Sequence, residues 1–371
     1  MKFNIAVIPG DGIGPEVINQ AKKALNAVAN KFNHIFIFKE AQMGACAIDA
    51  TGNPLPDNTL KICKNSDAIL FGAIGDPKYD NDPTAKVRPE QGLLKLRKEL
   101  GLFCNIRPVK AYEKLIANSP LKREIISGTD ISIFRELTGG IYFGIKELSE
   151  DGTVAFDGCS YSVTEISRIT HLAFKAAQNS RKKITLVDKA NVLETSRLWR
   201  KTVTEIAKEY KDVTLEFLFV DNAAMQMILN PKQFDVILTE NLFGDIISDE
   251  ASVIGGSIGL LASSSIGDEN ALFEPIHGSF PQATGKDIAN PLASILSAAM
   301  LLEHLGLHDE AEAVENAVEK SLELSIVTED LNSEKSFSTS KVGDFIADYI
   351  EHPDDSNHNF QNIHMGQSTI I

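Results

Sequence analysis

The chain has 371 residues, which at roughly 150 residues per domain is enough for about two domains. Its formal charge is −15 and 43% of its residues are hydrophobic, a globular composition that argues against a general nucleic-acid binder, because such a protein needs a basic surface. The sequence contains no run of about 18 apolar residues, so it predicts no membrane span. The first residues lack the pattern of a secretory signal.

Short apolar runs alternate with longer segments of helical periodicity, which predicts parallel sheets covered by helices. A first strand is predicted at Phe3–Ile8, and Pro15 opens a helix with one apolar face. A polar loop from Gly75 to Pro89 precedes a predicted helix at Glu90–Leu100. Further strands are predicted at His34–Phe38, Ala68–Phe71, Ile131–Phe134, Ile184–Val187, Leu215–Val220 and Phe234–Leu238.

The C-terminal part divides into a helical stretch and a tail. From Asn290 to Leu324 the chain is rich in Ala and Leu and has helical periodicity. That periodicity is lost from His352 to Ile371, so we expect a tail there rather than part of the core.

Three alternating glycines, Gly10, Gly12 and Gly14, follow the first strand. A dinucleotide fingerprint has its third glycine one residue later and a carboxylate that closes a βαβ unit, and neither is in place. The glycines therefore predict a tight turn from strand to helix.

The four cysteines, Cys46, Cys63, Cys104 and Cys159, lie far apart and form no CxxC pair. This spacing argues against a disulfide framework and against a zinc site. We expect reduced, mostly buried thiols in a cytoplasmic protein.

Charged and polar residues follow four of the predicted strands. Three strands end in Arg135-Glu136, Asp188-Lys189 and Asp221-Asn222, and the fourth leads through Thr239-Glu240-Asn241 to Asp245 and Asp249. A single charge at a strand end is commonly a loop cap. Ligands of open α/β folds bind beyond the carboxyl ends of strands, so four such ends in succession predict one shared site.

Asp245 and Asp249 are four residues apart and share one face if their segment is helical. Two carboxylates so placed repel each other unless a cation lies between them. Oxygen ligands suit Mg²⁺ or Mn²⁺, and Asp221 is a candidate to complete the set. The alternative is a solvated acidic face. The absence of His or Cys from this set argues against zinc.

Three arginines, Arg97, Arg107 and Arg135, are the complementary feature. Guanidinium groups bind carboxylates through two parallel hydrogen bonds, so a cluster of the three would suit a dicarboxylic acid. The alternative for each arginine alone is a surface ion pair.

Six long motifs resemble those of the isocitrate/isopropylmalate dehydrogenase family of metal-dependent β-decarboxylating dehydrogenases. The resemblance runs from about Asn4 to Leu324. The motifs are GDGIGPEV from Gly10, RELTGGIYFG from Arg135, DKANVLE from Asp188, NLFGDIISDEAS from Asn241, EPIHGS from Glu274 and GKDIANP from Gly285.

The resemblance implies a two-domain α/β fold with a discontinuous first domain, different from a standard Rossmann fold although the cofactor is NAD. Residues 1–102 and 256–371 would form the cofactor-binding α/β domain, with 352–371 as a tail. Residues 103–255 would form the domain for substrate, metal and dimerisation. The resemblance also implies a homodimer whose two active sites each use residues of both subunits.

The resemblance also assigns roles to individual residues. The implied substrate-binding residues are Arg97, Arg107, Arg135, Asp221, Leu93 and Leu94. The implied metal ligands for Mg²⁺ or Mn²⁺ are Asp221, Asp245 and Asp249, and the implied acid–base residues are Tyr142 and Lys189. Asp221 and Lys189 would come from the partner subunit.

The implied NAD-binding residues are Ile13, Pro77, Glu90, His277, Gly278, Ser279, Gln282, Ala283 and Asn290. Many NAD-using members of the family have Asp at the position of Gln282, where its charge repels the 2′-phosphate of NADP. Gln282 carries no charge, so we expect NAD use with weaker discrimination.

Leu93 and Leu94 favour 3-isopropylmalate as the substrate, because relatives that use isocitrate have small polar groups at this place. The implied reaction oxidises it through 2-isopropyl-3-oxosuccinate to 4-methyl-2-oxopentanoate and CO₂, in leucine biosynthesis. Sister activities on malate, tartrate, isocitrate or homoisocitrate are the nearest alternatives. A non-catalytic metabolite-binding regulator is another, but we expect a regulator to have lost some of the acid–base and metal residues.

Overall fold

The structure is a computed structural model that describes residues 1–81 and 85–353. Most of the predicted tail, residues 354–371, therefore lies outside the described residues. The chain forms two compact units. Unit 1 contains Met1–Glu99, Ser257–Ser264 and the described residues from Asn270 onward, whereas unit 2 contains Leu100–Gly256 and Ser265–Glu269.

Strands and helices alternate along most of the chain. The strands are β1 (Lys2–Gly10), β2 (Ile35–Glu40), β3 (Ala68–Ala73), β4 (Cys104–Lys110), β5 (Asp130–Glu136), β6 (Lys146–Leu148), β7 (Ala155–Asp157), β8 (Lys183–Asp188), β9 (Thr214–Phe219), β10 (Val236–Thr239), β11 (Ala262–Ile266) and β12 (Ala271–Pro275). The α-helices are α1 (Gly14–Phe32), α2 (Ala45–Thr51), α3 (Asp57–Lys64), α4 (Pro77–Asp80), α5 (Pro89–Glu99), α6 (Arg123–Ile126), α7 (Val163–Gln178), α8 (Glu194–Ala207), α9 (Val220–Leu229), α10 (Asn241–Ser252), α11 (Leu292–His304), α12 (His308–Glu323) and α13 (Thr339–Glu351). Each strand predicted from the sequence is present, with bounds that shift by at most two residues.

The strands of unit 1 lie in the order β2-β1-β3-β12-β11. β1 runs parallel to β2 and to β3, and β3 runs parallel to β12. The apolar face of α1 is covered partly by α13, where Gly343 allows a close approach because an added Cβ would lie 2.3 Å from Oε1 of Gln20. Lys23 and Asp344 join the same two helices through a 2.6 Å ion pair.

The strands of unit 2 lie in the order β4-β5-β10-β8-β9. β4 is antiparallel to β5, and the other pairs are parallel. Their apolar side chains pack with α7 and α8 in a core that includes Phe174 and Trp199. Because β5, β10, β8 and β9 are parallel, their carboxyl ends meet at one edge of the sheet.

Three local predictions are corrected by the structure. The stretch predicted as helical from Asn290 to Leu324 is two helices, because Gly306 takes a left-handed conformation (φ +75°) and ends α11. The strand predicted to reach Val220 ends one residue earlier, where α9 begins. The loop after Gly75 contains the short helix α4, since the Asp76 side chain caps its first turn.

No helix among the described residues is both long and apolar enough to cross a membrane. All four cysteines are free, with Cys63 and Cys104 buried and Cys159 exposed. Burial raises the pKa of the Cys63 thiol to about 12, so this thiol is inert near neutral pH.

Candidate active site

A charged cluster in unit 2 is built on helix α10, on which Asp245 and Asp249 lie one turn apart. The guanidinium of Arg135, at the end of β5, donates to Asp245 and to Oδ1 of Asn241, with an Nη2–Oδ1 distance of 2.9 Å. Gly244 permits this approach, because an added Cβ would lie 2.7 Å from Cγ of Arg135. Arg135 is therefore fixed against the first turns of α10.

Arg107, on β4, contacts the same helix. Its Nη1 atom donates to Oδ1 of Asp249 at 2.9 Å and to Oγ of Ser248 at 2.6 Å. Its Nη2 atom lies 3.9 Å from Asp245. Asn105 accepts a hydrogen bond from Nε at 2.8 Å and orients the group. Two guanidinium groups therefore balance the two carboxylates within one chain.

Tyr142 places a hydroxyl group in this cluster. It ends a short 3-10 turn, Gly140–Tyr142, that follows β5. Its hydroxyl donates to Oδ2 of Asp245 at 2.8 Å, and its ring lies 5.9 Å from the guanidinium carbon of Arg135. Burial and the hydrogen bond to Asp245 raise the pKa of the Tyr142 hydroxyl, so the group keeps its proton at neutral pH.

Lys189 and Asp221 form a second charged pair in unit 2. They follow the adjacent parallel strands β8 and β9, and Nζ of Lys189 lies 2.6 Å from Oδ1 of Asp221. This hydrogen bond lowers the pKa of the exposed Asp221 carboxyl. The preceding Asp188 is held by Arg200 through two hydrogen bonds of 2.8 Å, which fixes the backbone from which Lys189 extends.

The three predicted metal ligands do not surround one point in a single chain. In residues 1–81 and 85–353, no three His, Cys, Asp or Glu side chains are placed to hold one metal ion. Asp245 and Asp249 nevertheless offer oxygens on one helix face, and the Asp249 side chain is 69% exposed. Carboxylate oxygens are the donors that Mg²⁺ and Mn²⁺ prefer. The donor chemistry therefore fits such an ion, with further ligands supplied from elsewhere.

Arg97 belongs to unit 1, where it lies near the end of α5. Its Nη2 atom donates to Oε1 of Glu274 on β12 at 2.8 Å, and Glu274 is buried. Nε of Arg97 is buried without a hydrogen-bond partner in the part of the chain that the structure describes. On the same helix Leu93 is half-buried and Leu94 is 50% exposed, so α5 presents an arginine and an apolar side chain outside the core.

A cavity of 370 Å³ in unit 1 gathers several residues of the predicted cofactor set. It is lined by Ile13, Ile258, Gly259, His277, Gly278, Phe280, Ile288, Ala289, Asn290 and Asp330. The sequence did not indicate Asp330, because it reaches the cavity only through tertiary packing. Its carboxylate accepts hydrogen bonds from Nδ2 of Asn290 at 3.0 Å and from Oγ of Ser257 at 2.7 Å.

The turn after β1 supports one side of this cavity. Gly12 has φ +58°, and an added Cβ would lie 2.0 Å from the carbonyl oxygen of Ser279. The next residue, Ile13, donates its backbone N–H to the same oxygen at 2.8 Å. Only glycine fits at position 12, so the predicted tight turn is confirmed.

His277 presents an unpartnered polar atom at the cavity. Its Nε2 atom is buried and has no hydrogen-bond partner within the described ranges, while Nδ1 lies 3.0 Å from the carbonyl oxygen of Gly278. Burial lowers the pKa of His277, so the imidazole is neutral at pH 7. A neutral hydrogen-bonding group beside apolar walls fits an uncharged part of a dinucleotide, such as a purine or a ribose hydroxyl.

The other predicted cofactor residues do not line this cavity. Gln282 is exposed on the turn that follows Phe280. Ala283 is fully buried and packs against Ile13, so its side chain supports the turn rather than facing a ligand. Of the remaining three, Pro77 and Glu90 are exposed and Ser279 is buried.

Comparisons of the sequence with known proteins point to one family. A model of the isocitrate/isopropylmalate dehydrogenase family matches residues 4–346. A protein of Bacteroides fragilis named 3-isopropylmalate dehydrogenase is 53% identical over 352 residues, which is 94% of this chain and 99% of that protein. A protein of Clostridium pasteurianum with the same name is 54% identical over 356 residues, again 94% of this chain and 99% of the relative.

Solved structures of similar fold agree with the sequence relatives. Isocitrate dehydrogenase from Methylococcus capsulatus is similar with a TM-score of 0.84 and 35% identity, covering 94% of this chain and 99% of that chain. A β-decarboxylating dehydrogenase from Thermococcus kodakarensis has a TM-score of 0.79 and 35% identity, covering 100% of this chain and 99% of that one.

Proposed function

Because the chain belongs to the isocitrate/isopropylmalate dehydrogenase family, we propose that it catalyses the oxidative decarboxylation of 3-isopropylmalate by NAD in leucine biosynthesis. The choice of substrate is supported by one observation. More than half of the aligned residues are identical to those of proteins named 3-isopropylmalate dehydrogenase, over nearly the whole length of those proteins. The family match also confirms the predicted fold class. Use of NAD and of a divalent metal ion is typical of this family.

Unit 2 supplies the metal ligands and two substrate-binding arginines, and unit 1 supplies the cofactor cavity and further substrate-binding side chains. Arg107 and Arg135 bind the substrate carboxylates together with Arg97. Within one chain both arginines of unit 2 are paired with Asp245 or Asp249. Substrate carboxylates bind to these arginines beside or in place of the aspartates, because each guanidinium group has more N–H donors than one carboxylate accepts.

Asp245 and Asp249 would hold Mg²⁺ or Mn²⁺ together with the partner subunit's Asp221. A divalent ion, when bound, lowers the pKa of the substrate hydroxyl and stabilises negative charge that develops on its oxygen. In this arrangement the cation, rather than Arg107 and Arg135, would neutralise the negative charge of the two carboxylates of α10.

Lys189 is the base of the oxidation step. NAD, when bound, would take the hydride from C2 of the substrate, and Lys189 of the partner subunit would accept the proton of the C2 hydroxyl, directly or through water. The product of this step is the ketone 2-isopropyl-3-oxosuccinate. The 2.6 Å contact with Asp221 supports this role, because it holds the Lys189 side chain against a proposed metal ligand.

Tyr142 is the acid of the decarboxylation step. The bond between C3 and its carboxylate breaks, CO₂ leaves, and the electron pair moves to the C2 oxygen as an enolate. The Tyr142 hydroxyl then gives its proton to C3, which yields 4-methyl-2-oxopentanoate. A tyrosine whose pKa is raised by burial and by Asp245 carries the proton that this step needs.

Leu93 and Leu94 select the isopropyl group of the substrate. Burial of that group gains roughly 0.8 kcal/mol for each carbon. A third carboxylate, as in isocitrate, is rejected more strongly because it would be buried without a partner. Half exposure of Leu94 supports this role, since the side chain is not used up in the core.

The cavity of unit 1 takes the adenosine part of NAD. The unpartnered nitrogen of His277 and the apolar side chain of Ile13 fit its adenosine part. Gln282 bonds the adenosine ribose without repelling a 2′-phosphate, so NADP is excluded less firmly than NAD-using relatives with Asp exclude it. Glu90 would bind near the nicotinamide ribose.

The enzyme is a cytoplasmic homodimer with shared active sites. The two-stranded β6–β7 sheet exposes Leu148, Val154 and Phe156, and contiguous exposed apolar side chains are typical of an interface. Helix α9 adds the exposed Leu229. Four free thiols fit a reducing compartment.

NADH formation from 3-isopropylmalate, NAD and Mg²⁺ tests the reaction. We expect turnover that stops on addition of EDTA and returns with excess Mg²⁺ or Mn²⁺. Malate, tartrate, isocitrate and homoisocitrate are matched substrates, on which we expect much lower kcat/KM. Turnover on one of these instead would assign a sister activity. Tight binding of 3-isopropylmalate without turnover on any substrate would favour the regulator.

A further inference from the structure

Phe280 has a backbone conformation that residues with side chains rarely adopt. Its φ of +38° and ψ of +64° lie in the left-handed region, which is uncommon for residues other than glycine. It also precedes Pro281, and a residue before proline is normally extended. Phe280 is 53% exposed, so packing in the core does not account for this conformation.

Hydrogen bonds on both sides hold Phe280 in place. The carbonyl oxygen of Ser279 accepts the backbone N–H of Ile13 at 2.8 Å, and the carbonyl oxygen of Phe280 accepts the N–H of Ala283 at 3.0 Å. The surrounding structure therefore enforces the unfavourable backbone angles. Backbone strain of this kind is retained chiefly where a binding or catalytic site uses it.

Phe280 lines the 370 Å³ cavity together with Ile258 and Ile288, two further large apolar residues that are exposed. Among the described residues that line the cavity, Asp330 is the charged one, and its carboxylate is already held by Asn290. The walls therefore suit an uncharged, apolar, flat ligand, while the phosphates of a dinucleotide find no cation there.

We propose that the ring of Phe280 stacks on one face of the adenine of NAD and thereby sets the affinity for the cofactor. This inference rests on the proposed function for the identity of the cofactor. It adds a residue that no motif indicates. The neutral His277 forms a hydrogen bond with an edge of the adenosine, and Gln282 on the following turn forms one with the ribose. Phe280 contacts the flat face of the adenine ring. Aromatic side chains bind bases in this way without reading their edges.

Isothermal titration calorimetry measures the affinity of the full chain for ADP-ribose and for NAD, and it tests the stacking without turnover. We expect Phe280→Ala to weaken ADP-ribose binding about 5- to 100-fold, the range given by loss of one base–aromatic stack. Phe280→Trp should retain binding, because it keeps an aromatic face. Phe280→Gly should bind as weakly as the Ala variant yet melt at a higher temperature, since glycine tolerates the left-handed angles. Ile35→Ala, another exposed apolar residue of unit 1, is the control and should leave ADP-ribose binding unchanged.

Unchanged ADP-ribose affinity in Phe280→Ala would overturn the proposal, and so would a Trp variant as weak as the Ala variant. The KM for 3-isopropylmalate is measured in parallel, and a rise in it as large as the loss of ADP-ribose affinity would show a general loss of structure and also overturn the proposal. If the wild type fails to oxidise 3-isopropylmalate while Phe280→Ala still loses ADP-ribose affinity, the stacking stands and the proposed reaction falls.

Discussion

The charged cluster of unit 2 and the cavity of unit 1 are built in opposite ways. In the cluster the charged groups are already paired, Arg135 with Asp245 and Lys189 with Asp221. In the cavity the walls are largely apolar, and Nε2 of His277 has no hydrogen-bond partner in the described part of the chain.

This difference separates two kinds of ligand binding. A ligand that enters the cavity displaces water and keeps the protein's own hydrogen bonds, whereas a ligand that enters the cluster must replace existing ion pairs. We therefore expect changes in the cluster to act on the rate of the chemical step. Changes in the cavity and in the apolar side chains of unit 1 should act on affinity and selectivity.

The largest effect is expected from Lys189→Ala, which removes the base. We expect kcat to fall about 10²- to 10⁴-fold, the usual contribution of a positioned acid–base group, while circular dichroism stays unchanged. NADH formation measures the rate. Lys201→Ala, at an exposed position of α8 in the same unit, is the control. A normal kcat in the Lys189 variant would remove this residue from the mechanism.

Hybrid dimers of Lys189→Ala and Asp245→Asn, purified with two affinity tags, locate the two residues relative to each other. If each site combines Asp245 of one subunit with the partner's Lys189, one of two sites is intact and about half of the wild-type activity returns. If both residues serve the same site from one chain, the hybrid is as inactive as its parents.

Glu240→Gln is expected to stabilise the fold above neutral pH. Glu240 is 5% exposed, and burial followed by the charge of Asp188 raises its pKa from 4.5 to about 7. The folded protein favours the protonated form of Glu240. The contribution of this form to the free energy of unfolding is therefore complete below about pH 4.5 and is lost as the pH rises through 7. The Gln variant should therefore be about 3 kcal/mol more stable than the wild type at pH 8, and the gain should largely vanish at pH 4.5.

Urea unfolding at both pH values measures this gain, with the exposed Glu147→Gln as the control. A gain that does not depend on pH would show that Glu240 is not a buried carboxylate that titrates near neutrality.

Leu94→Ala is expected to lower kcat/KM for 3-isopropylmalate about 10-fold, because the loss of a few apolar contacts to the isopropyl group is worth roughly 1–3 kcal/mol. The value for malate, which lacks that group, should stay the same. Ile35→Ala, exposed in the same unit as Leu94, controls for a general effect of removing surface apolar area. An equal loss on both substrates would assign Leu94 to structure rather than selectivity.

Gln282→Asp has the smallest expected effect. A carboxylate at this position repels the 2′-phosphate, so the ratio of kcat/KM with NAD to that with NADP should rise roughly 10-fold. Gln282→Asn keeps a neutral amide and should leave the ratio unchanged. A ratio that does not move in the Asp variant would place the cofactor ribose elsewhere.

The placement of Lys189 and Asp221 at one edge of the sheet was accessible from the sequence. Both residues follow largely apolar runs, and adjacent parallel strands bring their carboxyl ends to one edge. The helical spacing of Asp245 and Asp249 was readable for the same reason, since α10 follows the next strand of the edge.

The contacts that hold these residues were not readable. Glu274 lies 177 positions from Arg97 in the sequence, and only folding makes it the partner of that arginine. The strand β11 was missed because Ala262–Ile266 is rich in serine, which has no strong preference for strands. The left-handed Phe280 was missed because nothing in its sequence neighbourhood suggests glycine-like angles.

The division of unit 1 between the two ends of the chain sets an order of assembly during synthesis. Unit 2 is nearly continuous and has almost all of its strands once Gly256 has left the ribosome. At that moment β3 still lacks β12, and the apolar face of α1 still lacks α13. Domains of a nascent chain fold as units when their residues are complete. Unit 1, although it contains β1, therefore closes only after β12 and α13 have been synthesised.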